Sequence, residues 1–386
     1  MCGIVAVTGY KKALPLLING LKKLEYRGYD SAGIALINSE SKSIICNKAE
    51  GKLENLINKV SNSDIPGTVG IGHTRWATHG KPEVNNAHPH LDNSGKVAVV
   101  QNGIIENYQE LKTKLEKEGV IFKSNTDTEV IPHLIQKELI ALSQLKLENN
   151  GSTLLVAVRN VISDLEGSYA LAVLWAGAPD SLVVARRQAP LIIGLGEGEF
   201  ICASDTPAIA NFTKIILPLE EDEIALLTPL GIEIYDSDNE RQYRNPIPLQ
   251  TSEQIIDKKH FKHYMLKEIY DQPDMAKFWL DKYLIQDPKT GNFNINYSFD
   301  TKFFESIERI EIVACGTSKH AAMVGSFLLE QFSGIPTNVF YASEFRYSPP
   351  PLLPNTLTIG VTQSGETADT IAAINMEIKR RSSKGD

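Results

Sequence analysis

The chain has 386 residues, 42% hydrophobic and 22% charged, which suits about two or three domains with cores of their own. Its net charge of −8 argues against a general binder of nucleic acid or anionic membrane, and leaves room for a local basic site for a small phosphate. No apolar run approaches the roughly 18 residues a membrane span needs. Lys11 and Lys12 follow the first apolar segment instead of preceding it, so no export signal is read, and Met1-Cys2 is expected to be the true start of a cytoplasmic protein. Cys2, Cys46, Cys202 and Cys315 are far apart and form no C-x-x-C pair, so they read as cytosolic thiols and not as a disulfide framework or zinc set.

A strand-like run over Cys2–Val7 comes first, then an amphipathic helix over Lys12–Leu24. Strand patterns follow at Ala32–Ile37, Ser43–Asn47, Val69–Thr74 and Val97–Gln101. Apolar spacing predicts helices at Tyr108–Glu118, Thr128–Leu142 and Leu154–Leu165. Six more strands are expected at Tyr169–Trp175, Ser181–Arg186, Leu191–Gly194, Glu199–Cys202, Glu223–Leu227 and Ile232–Tyr235. Many strands with interspersed helices predict an α+β layered domain over residues 1–236. Residues 237–300 read as a linker and helical connection, polar and Pro-containing to about Phe261, then helical across His263–Leu284 with an interruption near Gln272-Pro273. Over 301–386, strands at Ile310–Ala314, Asn338–Tyr341 and Thr356–Val361 alternate with helices at Lys319–Phe332 and Ala368–Arg381, the pattern of a parallel sheet.

Removal of Met1 would leave on Cys2 both a thiol and a free α-amine. The amine's ordinary pKa near 7.7–8.0 suits a general base beside the nucleophile. A cysteine at position 2 is by itself only a candidate. Attack on a carboxamide also needs donors placed where the oxyanion develops, and Asn102-Gly103 at the end of the Val97–Gln101 strand can supply a side-chain amide and a backbone N–H. The competing reading is an Asn-Gly hairpin turn, but the residues through Glu118 read as helix, not as a return strand. Arg75 can bind a substrate carboxylate bidentately. Asp127 can bind an ammonium group or cap the helix expected from Thr128. His73, His79, His88 and His90 have the look of a metal set, yet no carboxylate or cysteine lies at structural-zinc spacing, so no metal is expected.

Met1-Cys2-Gly3-Ile4-Val5 resembles the start of class II glutamine amidotransferases, a branch of the N-terminal-nucleophile hydrolases. Leu24-Glu25-Tyr26-Arg27-Gly28-Tyr29-Asp30-Ser31-Ala32-Gly33 and His73-Thr74-Arg75-Trp76-Ala77-Thr78-His79-Gly80 narrow the resemblance to the glutamine–fructose-6-phosphate aminotransferase (isomerizing) family. The resemblance implies a four-layer αββα glutaminase domain followed by an incomplete α/β SIS domain, flavodoxin-like with a parallel sheet. It implies Cys2 as nucleophile, Asn102 and Gly103 as the oxyanion hole, Arg75 and Asp127 on the two charged ends of glutamine, and Trp76, Thr78 and His79 on a loop that closes over the substrate. No cofactor is implied. Gln101 stands where relatives commonly have His, and Ala6 where Gly is frequent; neither position supplies a required chemical group.

Cys315-Gly316-Thr317-Ser318 and Thr362-Gln363-Ser364-Gly365-Glu366-Thr367 each follow a strand and open a helix. Helix N-termini rich in small residues and hydroxyls suit a phosphate, and two at matching strand ends form a crevice. By resemblance to the SIS fold, Thr317, Ser318, Thr362, Gln363, Ser364 and Thr367 would hold fructose 6-phosphate, with Thr362 where the family has Ser. Relative to the family the chain reads as truncated at its C-terminus, without the base and lysine of sugar isomerisation. It is expected to hydrolyse glutamine without completing the aminosugar, unless a homo-oligomer or a complementing chain supplies the rest. The alternative is a non-enzymatic sugar-phosphate-binding or regulatory fragment. An amidophosphoribosyltransferase is disfavoured by Tyr29 and by the SIS-like segment.

Overall fold

Gly3–Gly9 (β1) is buried along its whole length because it is covered on both faces. Ile4 and Ala6 point into one apolar layer, Val5 and Val7 into another, as the two-residue period of a strand requires. A computed structural model of the chain describes residues 2–38, 40–61, 65–76, 81–249, 261–286, 291–295, 301–363, 365 and 367–383. The chain divides into two compact units, Met1–Ile256 and Asp257–Asp386.

In the first unit β1 is followed by α1 (Ala13–Leu24), β2 (Ser31–Ile37), β3 (Ile44–Glu50), α2 (Leu53–Val60), β4 (Gly70–Arg75), β5 (His90–Leu91) and β6 (Val97–Ile105). Helices α3 (Tyr108–Lys117), α4 (Val130–Gln144) and α5 (Gly151–Ser163) come next. Strands β7 (Gly167–Trp175), β8 (Leu182–Arg187), β9 (Ile192–Leu195), β10 (Glu199–Ala203), β11 (Ile215–Pro218), β12 (Ile224–Thr228), β13 (Gly231–Tyr235), β14 (Arg241–Gln242) and β15 (Ile247–Pro248) complete it. They form an eight-stranded sheet, β15-β11-β9-β10-β1-β4-β2-β3, and a seven-stranded sheet, β14-β13-β12-β8-β7-β6-β5.

Three apolar layers hold these sheets. Val5, Val7, Leu17, Leu21 and Leu56 pack α1 and α2 on the first sheet. Ile4, Ala6, Ile71, Ala98, Val100 and Ala172 pack the sheets face to face. Val97, Val99, Ile131, Ile135 and Val158 pack the second sheet on its helices. The order is helix, sheet, sheet, helix, the four layers expected.

Several local expectations are corrected. The strand from Val97 continues to Ile105, so Asn102 and Gly103 lie inside β6, paired with Ala170 and Tyr169, and form neither a strand end nor a hairpin turn. Gly103 makes this continuation possible. Its φ is +121°, and a Cβ there would sit 2.1 Å from the Ser168 carbonyl oxygen. The polar segment after Asp236 contributes β14 and β15, which add one short edge strand to each sheet. Short elements escape the periodicity, among them α2 and β11.

The second unit contains α6 (Tyr264–Tyr283), β16 (Leu284–Gln286), β17 (Phe293–Ile295), α7 (Thr301–Glu305), β18 (Arg309–Ala314), α8 (Gly316–Ser333), β19 (Thr337–Tyr341), α9 (Ala342–Tyr347), β20 (Thr356–Val361) and α10 (Ala368–Ser382). Helix α6 runs through Pro273 without the expected interruption. The parallel sheet has β18 in the centre, flanked by β19 and β20.

Candidate active site

Strand alternation brings the site together. Cys2 precedes Ile4 and Ala6 by one and two strand periods, and those two residues face the layer between the sheets. His73 stands one period beyond Ile71 on β4, and Asn102 one period beyond Val100 on β6, and Ile71 and Val100 belong to the same layer. Three chain-distant residues therefore meet where the apolar layer ends. The carboxamide of Asn102 donates from Nδ2 to the Cys2 carbonyl oxygen at 3.1 Å. Its Oδ1 lies 3.0 Å from His73 Nε2, which is also 3.1 Å from the Gln101 carbonyl oxygen.

The thiol is tied to the end of β4. The Trp76 backbone N–H donates to Cys2 Sγ at 3.2 Å, and Sγ lies 3.5 Å from the Trp76 carbonyl oxygen. Burial pushes the Cys2 thiol up; the Trp76 N–H pulls it back down, Asp30 adds to the rise and Arg75 opposes it. Gly28 lets this corner close, since a Cβ there would lie 2.6 Å from the Arg75 carbonyl carbon. The Tyr29 ring meets the half-exposed Trp76 ring edge-on at 5.3 Å.

Arg75 is buried and donates from a terminal nitrogen to the Lys81 carbonyl oxygen at 3.4 Å. Asp127, also buried, accepts the Ile105 N–H at 2.8 Å, which draws its carboxylate to β6 two residues past Gly103. Helix α4 begins at Val130 with no side-chain cap. Thr78 and His79 lie outside the described residues.

His73, His88 and His90 are buried together: His73 stacks on His88 with ring centroids 4.2 Å apart, and His90 meets His88 edge-on at 4.8 Å. One or more nitrogens of each ring serve hydrogen bonds. Gln101 N–H donates to His88 Nδ1 at 3.2 Å, and His90 Nε2 lies 3.0 Å from Thr126 Oγ1. Burial pushes His73 down to about 3 and holds His88 and His90 well below the usual histidine range. Among the described residues, no group of His, Cys, Asp and Glu converges as a metal-ligand set. Sequence reasoning weighed His73 only as a metal ligand. Its two-residue offset from Ile71 was the available signal that it faces β6.

In the second unit, Ala314 pairs with Val361, so the segments after β18 and β20 leave the sheet side by side. This brings Thr317 and Ser318, in the first turn of α8, next to the loop of Thr362, Gln363 and Thr367. The hydroxyls of Thr362 and Thr367 are 2.9 Å apart. Ser364 lies outside the described residues.

A glutamine amidotransferase domain model matches residues 73–211, and a SIS domain model matches 303–384. A relative from Thermosynechococcus vestitus, named glutamine–fructose-6-phosphate aminotransferase [isomerizing], is 55% identical over 99% of this chain and 60% of its own length. The protein of that name from Aquifex aeolicus is 46% identical over 97% of this chain and 59% of its own. Over nearly its whole length the chain is similar to proteins named glutamine–fructose-6-phosphate aminotransferase [isomerizing]. It spans about 60% of the length of the curated relatives it matches. Among solved structures, a glutamine phosphoribosylpyrophosphate amidotransferase from B. subtilis aligns over 88% of this chain and 65% of its own, with a TM-score of 0.52 at 22% identity. That likeness is one of fold alone.

Proposed function

We propose that this chain hydrolyses glutamine to glutamate and ammonia at Cys2. The observation that carries the reading is the meeting of the Cys2 thiol, the Trp76 N–H and the Asn102 carboxamide at one end of the layer between the sheets. Removal of Met1 frees the Cys2 α-amine. The amine takes the thiol proton as sulfur attacks the carboxamide carbon, and later gives a proton to the departing ammonia. Asn102 Nδ2 and the Gly103 N–H receive the oxyanion. Because burial raises the resting thiol, this base is needed at neutral pH. Arg75 takes the glutamine carboxylate and Asp127 the ammonium, while Trp76, Thr78 and His79 close the site. Water then cleaves the thioester to release glutamate.

In the relatives' name the nitrogen acceptor is fructose 6-phosphate, and we assign its phosphate to Thr317, Ser318, Thr362, Gln363, Ser364 and Thr367, in a cytoplasmic setting. In this assignment residues 1–236 carry the hydrolysis, 237–300 the connection and 301–386 the partial acceptor site. None of the helices among the described residues is long and apolar enough to cross a membrane. The test incubates the purified chain with glutamine and fructose 6-phosphate and measures glutamate and glucosamine 6-phosphate separately. Glutamate that disappears in Cys2→Ala is the expected result. No glutamate from a chain shown by mass spectrometry to have lost Met1 would overturn the reading and favour a regulatory one.

A further inference from the structure

The geometry points to His73 as the positioning residue that fixes which way the Asn102 carboxamide faces. This rests on the reading of Asn102 as an oxyanion donor. A carboxamide has two orientations of nearly the same shape, one with its NH2 toward the nucleophile and one with its oxygen there. Only the first can stabilise an oxyanion, and something must choose between them.

His73 Nε2 lies within 3.1 Å of two oxygens, Asn102 Oδ1 and the Gln101 carbonyl, neither of which can donate. The proton must therefore sit on Nε2, which donates to both, and Nδ1 is left with a buried lone pair that has no partner among the described residues. A flipped Asn102 would set its NH2 against the His73 N–H and its oxygen against the Cys2 carbonyl. Both hydrogen bonds that frame the amide would be lost at once.

The donor is itself held. His73 lies in β4, paired on one side with Ile4 and on the other with Gly33. Its ring stacks on His88 at 4.2 Å and 16°. His88 is fixed in turn by the Gln101 N–H, and Thr128 Oγ1 donates to Gln101 Oε1 at 2.6 Å. A strand paired on both edges and a stacked ring thus aim one N–H at one amide oxygen, a preorganised support for the donor that meets the substrate. Burial keeps the imidazole neutral through the working range, so this support does not switch with pH.

The test uses the full chain and the variants His73→Phe, His73→Gln, Asn102→Ala and His73→Phe/Asn102→Ala. Glutamine hydrolysis gives kcat and KM; iodoacetamide alkylation of Cys2, a displacement with no tetrahedral oxyanion, reports the thiol alone. Loss of the Asn102 donor lowers kcat by about 10²- to 10³-fold. His73→Phe lowers kcat by about 10²-fold through misplacement of that donor, with KM and the alkylation rate unchanged. His73→Gln, whose Nε2 has a similar reach, recovers most of the loss. The double variant is no slower than Asn102→Ala, because the two residues act as one unit. If Phe does not fit and the chain fails to fold, His73→Met carries the same expectation. Unchanged kcat in His73→Phe or His73→Met while Asn102→Ala falls would overturn the positioning role alone, as would fully additive losses or an equal loss in alkylation. Unchanged kcat in Asn102→Ala would overturn the oxyanion reading and this inference with it.

Discussion

The two units of the chain treat apolar surface in opposite ways. In the first, both sheets are covered on both faces, and large side chains such as Leu17, Leu21, Ile34 and Tyr169 are at most 1% exposed. Polar residues that enter this interior do so in bonded sets, as His73, Asn102, Gln101 and Thr128 do. In the second, the three-stranded sheet has two small clusters, around Val313 and Phe345 and around Ile310 and Ile312. Phe327 and Phe332 of α8 are 71% and 80% exposed, and Phe278 and Trp279 of α6 also face outward. A site set between two filled sheets inherits its geometry from packing. A site made of loop ends on a small sheet depends on local hydrogen bonds, such as the one between Thr362 and Thr367.

The sharpest way to break this contrast is Cys2→Ser, expected to lower glutaminase turnover on the order of 10⁴-fold while phosphate binding in the second unit is unaffected. Parallel loss of both, measured by product release and by calorimetry with fructose 6-phosphate, would mean that the two sites are not independent. A smaller effect is expected from Arg75→Lys. It replaces a bidentate fork with a point charge and should reduce kcat/KM for glutamine by about 10²-fold, mainly through KM.

Acid should separate the units by sign. His73, His88 and His90 have folded pKa values far below the ordinary 6.5, so the unfolded chain takes up protons that the first unit refuses. Their contribution to stability is present above about pH 6.5 and declines as pH falls toward the depressed folded values, about 3 for His73, by about 1.4 kcal/mol per pH unit for each histidine protonated only when unfolded. Glu311 in the second unit behaves oppositely. Burial, then the nearby Glu377, push its carboxyl up, so its favourable contribution is present at low pH and lost as pH rises through the raised value. Calorimetric scans at pH 7 and pH 5 should move the transition of residues 1–256 down and leave that of 257–386 unchanged or raised. A common downward shift would refute the distinction.

The smallest effect expected is from Thr362→Val, which deletes the Thr362–Thr367 hydroxyl pair and should weaken phosphate binding by about tenfold, the worth of one hydrogen bond at the upper end of its range. Glutamine hydrolysis should not change; a change would tie the loop to the first site.

Much of this was legible in the chain itself. The long periodic elements lie close to where their spacing puts them: the helix expected from Lys12 is α1, and the alternation after Arg309 is the parallel sheet of β18, β19 and β20. Residue chemistry offered Cys2, Arg75, Asn102 and Asp127 as candidates, and resemblance to a family supplied the roles proposed for them. Sequence fell short where a partner from elsewhere in the chain sets the conformation. Asn102-Gly103 has the local look of a turn, but pairing with Ala170 and Tyr169 keeps it in a strand. The segment after Asp236 has the look of a linker, but open sheet edges recruit Arg241–Gln242 and Ile247–Pro248.

What the sequence by itself determined is a set of candidate site residues, the family likeness and the two-residue and 3.6-residue periods that name most strands and helices. The tertiary structure decided which way the Asn102 amide faces, that His73 Nε2 meets its Oδ1, and that the Asp127 carboxylate goes to Ile105 on β6. The reason is physical. Periodicity is fixed by bonds between near neighbours, whereas the orientation of a buried polar group depends on donors and acceptors that arrive from strands up to about a hundred residues away.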